Sequence, residues 1–93
     1  MNLFYHPKVV SDDISRLGKE AASKIKKSIE HRLLLDLLNF TVPLRKGLNP
    51  YRKLRVGDYR IILRLEAHAI KIIVIGHKKD VYARANKKTY VEF

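Results

Sequence analysis

The sequence predicts an α+β fold, in which an N-terminal strand and a two-helix hairpin pack on one face of a small, mainly antiparallel sheet. Three observations predict it: helical apolar periodicity between residues 7 and 38, strand-like alternation between residues 51 and 77, and tight-turn signals within that second stretch. Helices followed by a run of strands are typical of α+β proteins. The chain has 93 residues, the size of a single domain, so we expect residues 1–93 to form one unit.

The N-terminal part predicts a strand and then a helix. Residues 2–6, NLFYH, favour a short first strand, and Pro7 suits the first position of a helix because its missing N–H is not needed there. We expect this helix to bury one apolar stripe with helical spacing, made of Val10, Ile14 and Leu17.

A longer second helix is predicted between Gly18 and about Leu38. Its lysines lie mostly off the apolar stripe, as expected for a solvated face. Residues 39–50 contain two prolines and a glycine, which favours a connecting loop. The apolar stripe of this helix consists of Ala22, Ile25, Ile29 and Leu33.

The C-terminal half predicts a three-stranded meander. The Gly-Asp dipeptide at 57–58 is a good hairpin turn, because glycine readily adopts the positive φ that its first position needs. Residues 51–56 and 59–65 then pair with Arg55 opposite Arg60. One face of this hairpin is apolar and carries Leu54, Val56, Tyr59, Ile61, Leu63 and Leu65. The opposite, basic face carries Tyr51, Lys53, Arg55, Arg60, Ile62 and Arg64.

A second tight turn, at residues 67–68, adds the last strand with Leu65 opposite Ile70. Continuing this register without interruption puts Ile75 opposite Arg60, with His77 on the same basic face. The helices are expected to cover the apolar face. Three isoleucines are then exposed among the charges of the basic face, namely Ile62, Ile73 and Ile75.

The charge is strongly basic and unevenly distributed. The formal net charge is +11, and Lys and Arg outnumber Asp and Glu 13 to 4 after residue 43. Such an excess favours a polyanion, which can be nucleic acid, an anionic membrane surface or an acidic protein. The chain has no cysteine, no secretory signal pattern and no apolar run long enough to span a bilayer. We therefore expect a cytoplasmic protein without a membrane partner.

The pairing of Arg55 with Arg60 is locally unfavourable, because like charges across a strand pair repel. An anion between them would reverse this effect, although both guanidiniums could instead extend into water. Arginine and lysine stabilise the charge that builds on a phosphate during its transfer, and RNA carries its own nucleophile, the 2′-OH. No acidic pair lies near these strands, which argues against a two-metal nuclease, so the pattern suits phosphoryl chemistry without a metal.

The segment HKKDVY, residues 77–82, crowds several proton-carrying groups at the end of the last strand. A lone histidine at a strand end is more often structural or solvated than catalytic. A tyrosine more often packs its ring than contacts a ligand. From the residues alone, both the structural and the catalytic role of His77 and Tyr82 stay open.

The strings LRVGDYRIILRL and IKIIVIGHKKDVYARA resemble the RelE/ParE toxin superfamily of bacterial and archaeal toxin–antitoxin pairs. The second string is most similar to the RelE branch, in which a GHR-K/R-DVY ending is common, whereas the ParE branch shares RVG-x-YRIIYR. The resemblance implies a RelE-like fold and a ribosome-dependent endonuclease that cleaves mRNA in the A site by 2′-OH attack, without a cofactor. It also implies an inhibitory antitoxin, part of which folds on binding and often covers the basic sheet face.

The resemblance also implies roles for individual residues. Arg60 matches the arginine that stabilises the scissile phosphate, and Tyr82 matches the tyrosine that stacks on or orients the nucleotide. Arg55 and Lys53 match basic strand residues, and the general base stays open between Lys53 and His77.

One position departs from the family pattern. The family has a second arginine near the position that Lys78 or Lys79 occupies in this sequence. Lysine offers a single point charge, whereas arginine can form two parallel hydrogen bonds to a phosphate. We expect Lys78 to belong to the catalytic set with the residues above. Further RNA contacts are expected from Arg52, Arg64, Lys79 and Arg84.

Two other functions stay open at this point. The shared RVGDYRII string is compatible with a gyrase inhibitor of the ParE kind, although Tyr82 and the His-Lys-Lys ending count against it. The lysines at 78 and 79 are also compatible with a non-catalytic module that binds RNA or the ribosome.

Overall fold

The computed structural model describes residues 2–44 and 50–83. Its strands are β1 (Asn2–Tyr5), β2 (Thr41–Pro43), β3 (Tyr51–Val56), β4 (Tyr59–Glu66) and β5 (Ala69–His77). After β1, a π-helical turn (Val9–Asp13) leads into α1 (Ile14–Leu17), which is followed by α2 (Lys19–Phe40). The strands form one sheet in the order β1-β5-β4-β3-β2, with β1 parallel to β5 and the other neighbours antiparallel. The predicted α+β architecture is confirmed.

The helices cover one face of the sheet, and this helix-facing side holds the main core. The predicted stripe of α2 is buried at Ile25, Ile29 and Leu33 and extends to Leu37. It packs against the apolar side of the β3–β4 hairpin, where Ile61 is fully buried. We call the opposite side of the sheet the open face. No helix in the described part of the chain has the length and apolarity to cross a bilayer.

The predicted stripe of the first helix is wrong at Val10, which is 56% exposed. Val9 and Asp13 are buried in its place. The cause is the π-helical turn, in which the N–H of Ile14 donates to the carbonyl of Val9, five residues back. A π turn holds more residues than an α turn, so the buried positions shift along the chain.

Residues 39–50 were predicted as a loop, but the first part of this region belongs to a helix and a strand. Helix α2 continues to Phe40, and β2 then pairs with β3, with Val42 opposite Lys53. Pro43 has no N–H to donate, and it is tolerated because β2 is an edge strand. The short edge strand brings the chain after α2 alongside β3, which the loop prediction did not anticipate.

The β3–β4 register is as predicted, with Arg55 opposite Arg60. The predicted β4–β5 register holds only near the second turn, because a β-bulge interrupts it between Ile62 and Leu63. Leu63 pairs with Ile72 but Ile62 pairs with Val74, so one extra residue is inserted in β5.

The structure overturns three predictions about the basic face, and the bulge causes the first two. Ile75 pairs with Ile61, not Arg60, and belongs to the helix-facing core. His77 pairs with Tyr59 and therefore also lies on the helix-facing side. The isoleucines predicted as exposed, Ile62, Ile73 and Ile75, are all buried. Ile75 lies in the helix-facing core, whereas Ile62 and Ile73 are buried on the open face in a cluster with Val81. They are therefore not a surface on which a partner can dock.

Candidate functional site

A cleft of about 390 Å³ opens on the open face of the sheet. It lies where the end of α2, three strands and the segment after β5 meet. None of the described side chains that line it is acidic. The lining residues are Phe40, Val42, Lys53, Arg55, Arg60 and Tyr82.

The floor of the cleft follows from the register of the β3–β4 hairpin. Alternate residues of a strand share a face, so Lys53 and Arg55 point to the same side, and pairing puts Arg60 directly opposite Arg55. The three cations are therefore brought together by the two-residue turn at Gly57-Asp58. A cleft with three cations and no lining carboxylate attracts an anion.

Arg60 is held beside that turn by its own hydrogen bonds. Its Nη1 donates to the carbonyl oxygens of Gly57, at 2.8 Å, and of Tyr59, at 3.0 Å. A guanidinium has five N–H donors, and these two contacts use a single nitrogen. The rest of the fork can therefore bind a phosphate in an orientation fixed before the ligand arrives.

Tyr82 reaches the cleft because the residue before it, Val81, is buried and holds this segment against the sheet. Val81 is fully buried against Ile62, Ile73 and Val74 on the open face, and residues 81–83 are helical. Tyr82 is 37% exposed, and the Nζ of Lys53 lies 5.4 Å from the centroid of its ring. This cation–π contact joins β3 to the segment after β5.

The turn between β5 and Tyr82 is held by backbone hydrogen bonds. The N–H of Lys78 donates to the carbonyl of Asp58 at 2.9 Å, and the N–H of Asp80 donates to the carbonyl of His77 at 3.1 Å. The N–H of Lys79 donates to Nδ1 of His77 at 3.2 Å. The His-Lys-Lys-Asp segment therefore has a structural part in bringing Tyr82 to the cleft.

His77, Lys78 and Lys79 themselves do not line the cleft. The ring of His77 makes an edge contact with Tyr59, with 6.0 Å between centroids, on the helix-facing side. The Nζ of Lys78 lies 3.6 Å from the carboxylate of Asp58 in the β3–β4 turn. Of the two candidates for the general base, only Lys53 belongs to the cleft.

Two more of the predicted RNA contacts, in addition to Lys79, lie outside the cleft. Arg52 is on the helix-facing side, where Nε donates to Oγ1 of Thr41 at 2.7 Å and Nη2 to the carbonyl of Thr41 at 3.0 Å. This arginine ties β3 to β2. Arg64 is on the open face but at its other end, where it forms an ion pair with Glu66. The predicted contact at Arg84 lies outside the described residues.

The ion pair of Arg64 is part of a triad. Glu66 also accepts a hydrogen bond from the Nζ of Lys71 at 2.9 Å, and Lys71 is the β5 residue opposite Arg64. The hydrogen bond from Lys71 and the nearby charge of Arg64 lower the pKa of Glu66. One carboxylate therefore compensates two cations at this end of the open face.

Sequence reasoning missed Phe40 and Val42, which line the cleft on the β2 side. Both lie in the region predicted as a loop. The signal that could have found them is the apolar residue on each side of Thr41, which is the alternation of a short strand. Within residues 2–44 and 50–83, no three His, Asp or Glu side chains are grouped so that they could hold a metal ion.

Comparison with known proteins finds relatives at the level of family and fold. A family model for the ParE toxin of type II toxin–antitoxin systems, parDE, matches residues 5–82. A chain of the toxin–antitoxin complex RelBE2 from Mycobacterium tuberculosis is similar in structure, with a TM-score of 0.72 and 20% identity; the match covers 85% of this chain and 92% of that one.

The RelB-RelE antitoxin-toxin complex from Methanococcus jannaschii contains a second similar chain, with a TM-score of 0.54 and 21% identity. That match covers 87% of this chain and 96% of the other. At such identities the structural likeness establishes the fold. A comparison with curated proteins finds no significant match.

Proposed function

We propose that this chain, which belongs to the ParE toxin family of type II toxin–antitoxin systems within the RelE/ParE superfamily, is an endoribonuclease that cleaves mRNA in the ribosomal A site. The observation that carries the proposal is the cleft that combines Lys53, Arg55 and Arg60 with the exposed ring of Tyr82. Cations next to an exposed aromatic ring suit a ligand with both phosphates and bases.

In the proposed mechanism the RNA supplies the nucleophile. Arg55 and Arg60 bind the scissile phosphate and stabilise the charge that builds on it as the 2′-OH attacks. Tyr82 stacks on a neighbouring base and holds the nucleotide in line for attack. The bond between phosphorus and the 5′-oxygen breaks, and the leaving oxygen takes up a proton from solvent. Cleavage therefore leaves a cyclic phosphate on one product and a free 5′-hydroxyl on the other.

Lys53 is assigned the role of general base. To act as a base, Lys53 must first give up its proton, after which Nζ can accept the proton of the attacking 2′-OH. Its position beside Tyr82 brings Nζ close to the nucleotide that the ring would hold. The proposal makes His77 a structural residue, since its ring contacts Tyr59 and its Nδ1 accepts a backbone hydrogen bond.

The proposed partners are the ribosome with its mRNA and a cognate antitoxin. The ribosome is proposed from the family resemblance, and a net charge of +11 suits a protein that binds an RNA surface. An antitoxin is supported by family membership. We expect it to inhibit the toxin by covering the cleft, where acidic side chains would compensate the three cations.

The test is primer extension on a translated mRNA, in a reconstituted translation reaction to which the purified protein is added. Discrete cuts at A-site codons are expected, and they should disappear when ribosomes are omitted. Lys53→Met keeps the length of the side chain without its amine, so the rate should fall by about 100-fold, as for loss of a general base.

Lys26→Met is the matched control, because Lys26 is an exposed lysine of α2 that lies away from the open face. This variant should cleave at the wild-type rate. Intact mRNA in the presence of folded wild-type protein would overturn the proposed activity. Equal rates for wild type and Lys53→Met would remove Lys53 from the mechanism.

The family match supports a second candidate, inhibition of DNA gyrase, which the resemblance to the ParE branch implies. Under this alternative the cleft would bind a protein or DNA without breaking a bond. Purified gyrase and supercoiled DNA provide the test. Gyrase–DNA cleavage complexes that accumulate with the protein, together with intact mRNA in the translation reaction, would favour this candidate.

A further inference from the structure

The cleft contains a second exposed aromatic ring that the proposed mechanism does not use. Phe40, the last residue of α2, is 42% exposed, close to the 37% of Tyr82. Isolated exposed apolar side chains are common and need no explanation. Here, however, two exposed rings line one cleft together with Lys53, Arg55 and Arg60.

The two rings come from elements on opposite sides of the strands that carry the cations. Phe40 precedes β2, and Tyr82 follows β5. In the sheet order, β3 and β4 lie between those two strands and carry the cations of the cleft floor. A phosphate bound by Arg55 and Arg60 would therefore have one aromatic ring on each side.

Phe40 is held in position before any ligand binds. The Cζ of Arg32 lies 5.8 Å from the centroid of the Phe40 ring, and Nη1 of the same arginine donates to the carbonyl of Arg55 at 3.0 Å. The ring is thereby connected to the strand that supplies Lys53 and Arg55. Lys53 supports Tyr82 in the same way, so each ring has one cation against it. A ring ordered in advance loses less entropy when it binds a ligand.

We propose that Phe40 is a second base-stacking residue, so that the cleft holds one base on Tyr82 and another on Phe40, on the two sides of the scissile phosphate. This inference rests on the proposed endoribonuclease function. Stacking on an aromatic ring accepts any base, because every base has a π face. The second ring therefore extends the bound substrate to two nucleotides without requiring a particular sequence.

The first measurement is the kinetics of mRNA cleavage by Phe40→Leu, which keeps apolar volume and removes the ring. We expect KM to rise by about 10-fold with little change in kcat, the size of effect that loss of one base-stacking contact produces. Phe40→Tyr restores a ring and should restore KM. Leu35→Ala is the matched control, since Leu35 is a 68% exposed apolar residue of α2 outside the cleft lining.

A second measurement separates stacking from a merely structural role. The mRNA carries 2-aminopurine in the A-site codon, on one side of the mapped cut or on the other, with a 2′-deoxy sugar that prevents cleavage. Stacking quenches this probe. Phe40→Leu should restore fluorescence at one probe position and Tyr82→Leu at the other, while both variants keep the wild-type circular dichroism spectrum.

The outcomes separate this inference from the function on which it rests. Wild-type protein that leaves mRNA intact would mean that the endoribonuclease proposal fails. Wild-type cleavage with unchanged KM and unchanged quenching in Phe40→Leu would overturn the second stacking site alone. Normal cleavage by Phe40→Leu combined with escape from a co-expressed antitoxin would also overturn it, and would assign the ring to the protein partner.

Discussion

The open face of the sheet carries cations at both ends, but the two ends differ in whether a carboxylate pairs with these cations. At one end Arg64 and Lys71 share the carboxylate of Glu66. At the other end Lys53, Arg55 and Arg60 line a cleft in which no described lining side chain is acidic. Both ends are basic, so the presence of cations alone does not distinguish them. What distinguishes them is whether a carboxylate lies within reach of the cations.

An apolar cluster separates the two ends. Ile62 on β4 and Val74 on β5 are fully buried beneath Val81, and Leu44 packs against the same cluster. The open face is therefore not one continuous basic surface, as the uninterrupted register predicted. It consists of two cations paired with a carboxylate, the apolar cluster, which we call the apolar divider, and a cleft whose described lining has cations but no carboxylate. Phosphate binding is expected at the cleft, where an anion replaces no existing ion pair.

The largest expected difference between the two ends concerns cleavage. Arg60→Ala removes a donor that contacts the charge building on the phosphate, so the rate of mRNA cleavage should fall by about 100-fold or more. Arg64→Ala, the matched change at the other end, should alter the rate by less than about threefold, because Arg64 is paired with Glu66 and does not line the cleft. Initial rates in the translation reaction measure both. Comparable losses in the two variants would mean that RNA contacts both ends.

A smaller effect, on RNA binding, is expected if Arg64 and Lys71 lose the carboxylate that they share. This end of the open face would then resemble the cleft. Glu66→Gln keeps the size of the side chain but removes the charge shared by Arg64 and Lys71. RNA binding should become more sensitive to salt, with the slope of log K against log salt increasing by about one. Titrations of a labelled single-stranded RNA at several salt concentrations measure this slope. An unchanged slope would show that the apolar divider keeps RNA away from this end.

The smallest expected effect is on acid stability. The pKa of Glu66 is lowered by the hydrogen bond from Lys71 and the charge of Arg64, so the folded state favours the carboxylate. The stabilising contribution is therefore present above the ordinary value of 4.5, and it is lost as pH falls through the lower folded value. Wild type should lose thermal stability over this acid range slightly more steeply than Glu66→Gln. Parallel curves of Tm against pH for the two proteins would contradict the assigned ion pair.

The register of the β3–β4 hairpin could be predicted from the sequence, whereas the register of β5 could be predicted only in part. The hairpin register follows from a two-residue turn, because the turn leaves one way to pair Arg55 with Arg60. The sequence gives no sign of the bulge in β5, because residues 72–75 are all apolar and do not alternate with polar residues. An extra residue in such a run changes which face each side chain occupies without changing the sequence pattern. His77 was assigned to the wrong side for this reason.

The sequence by itself determined the basic character of the open face, the pairing of Arg55 with Arg60 and the resemblance to the toxin superfamily. These features depend on local turn chemistry and alternation, which neighbouring residues specify. Only the tertiary structure decided that Phe40 and Tyr82 line one cleft with the cations of the β3–β4 hairpin. This arrangement joins residues far apart in the chain, and it depends on the β2 edge strand and on the burial of Val81.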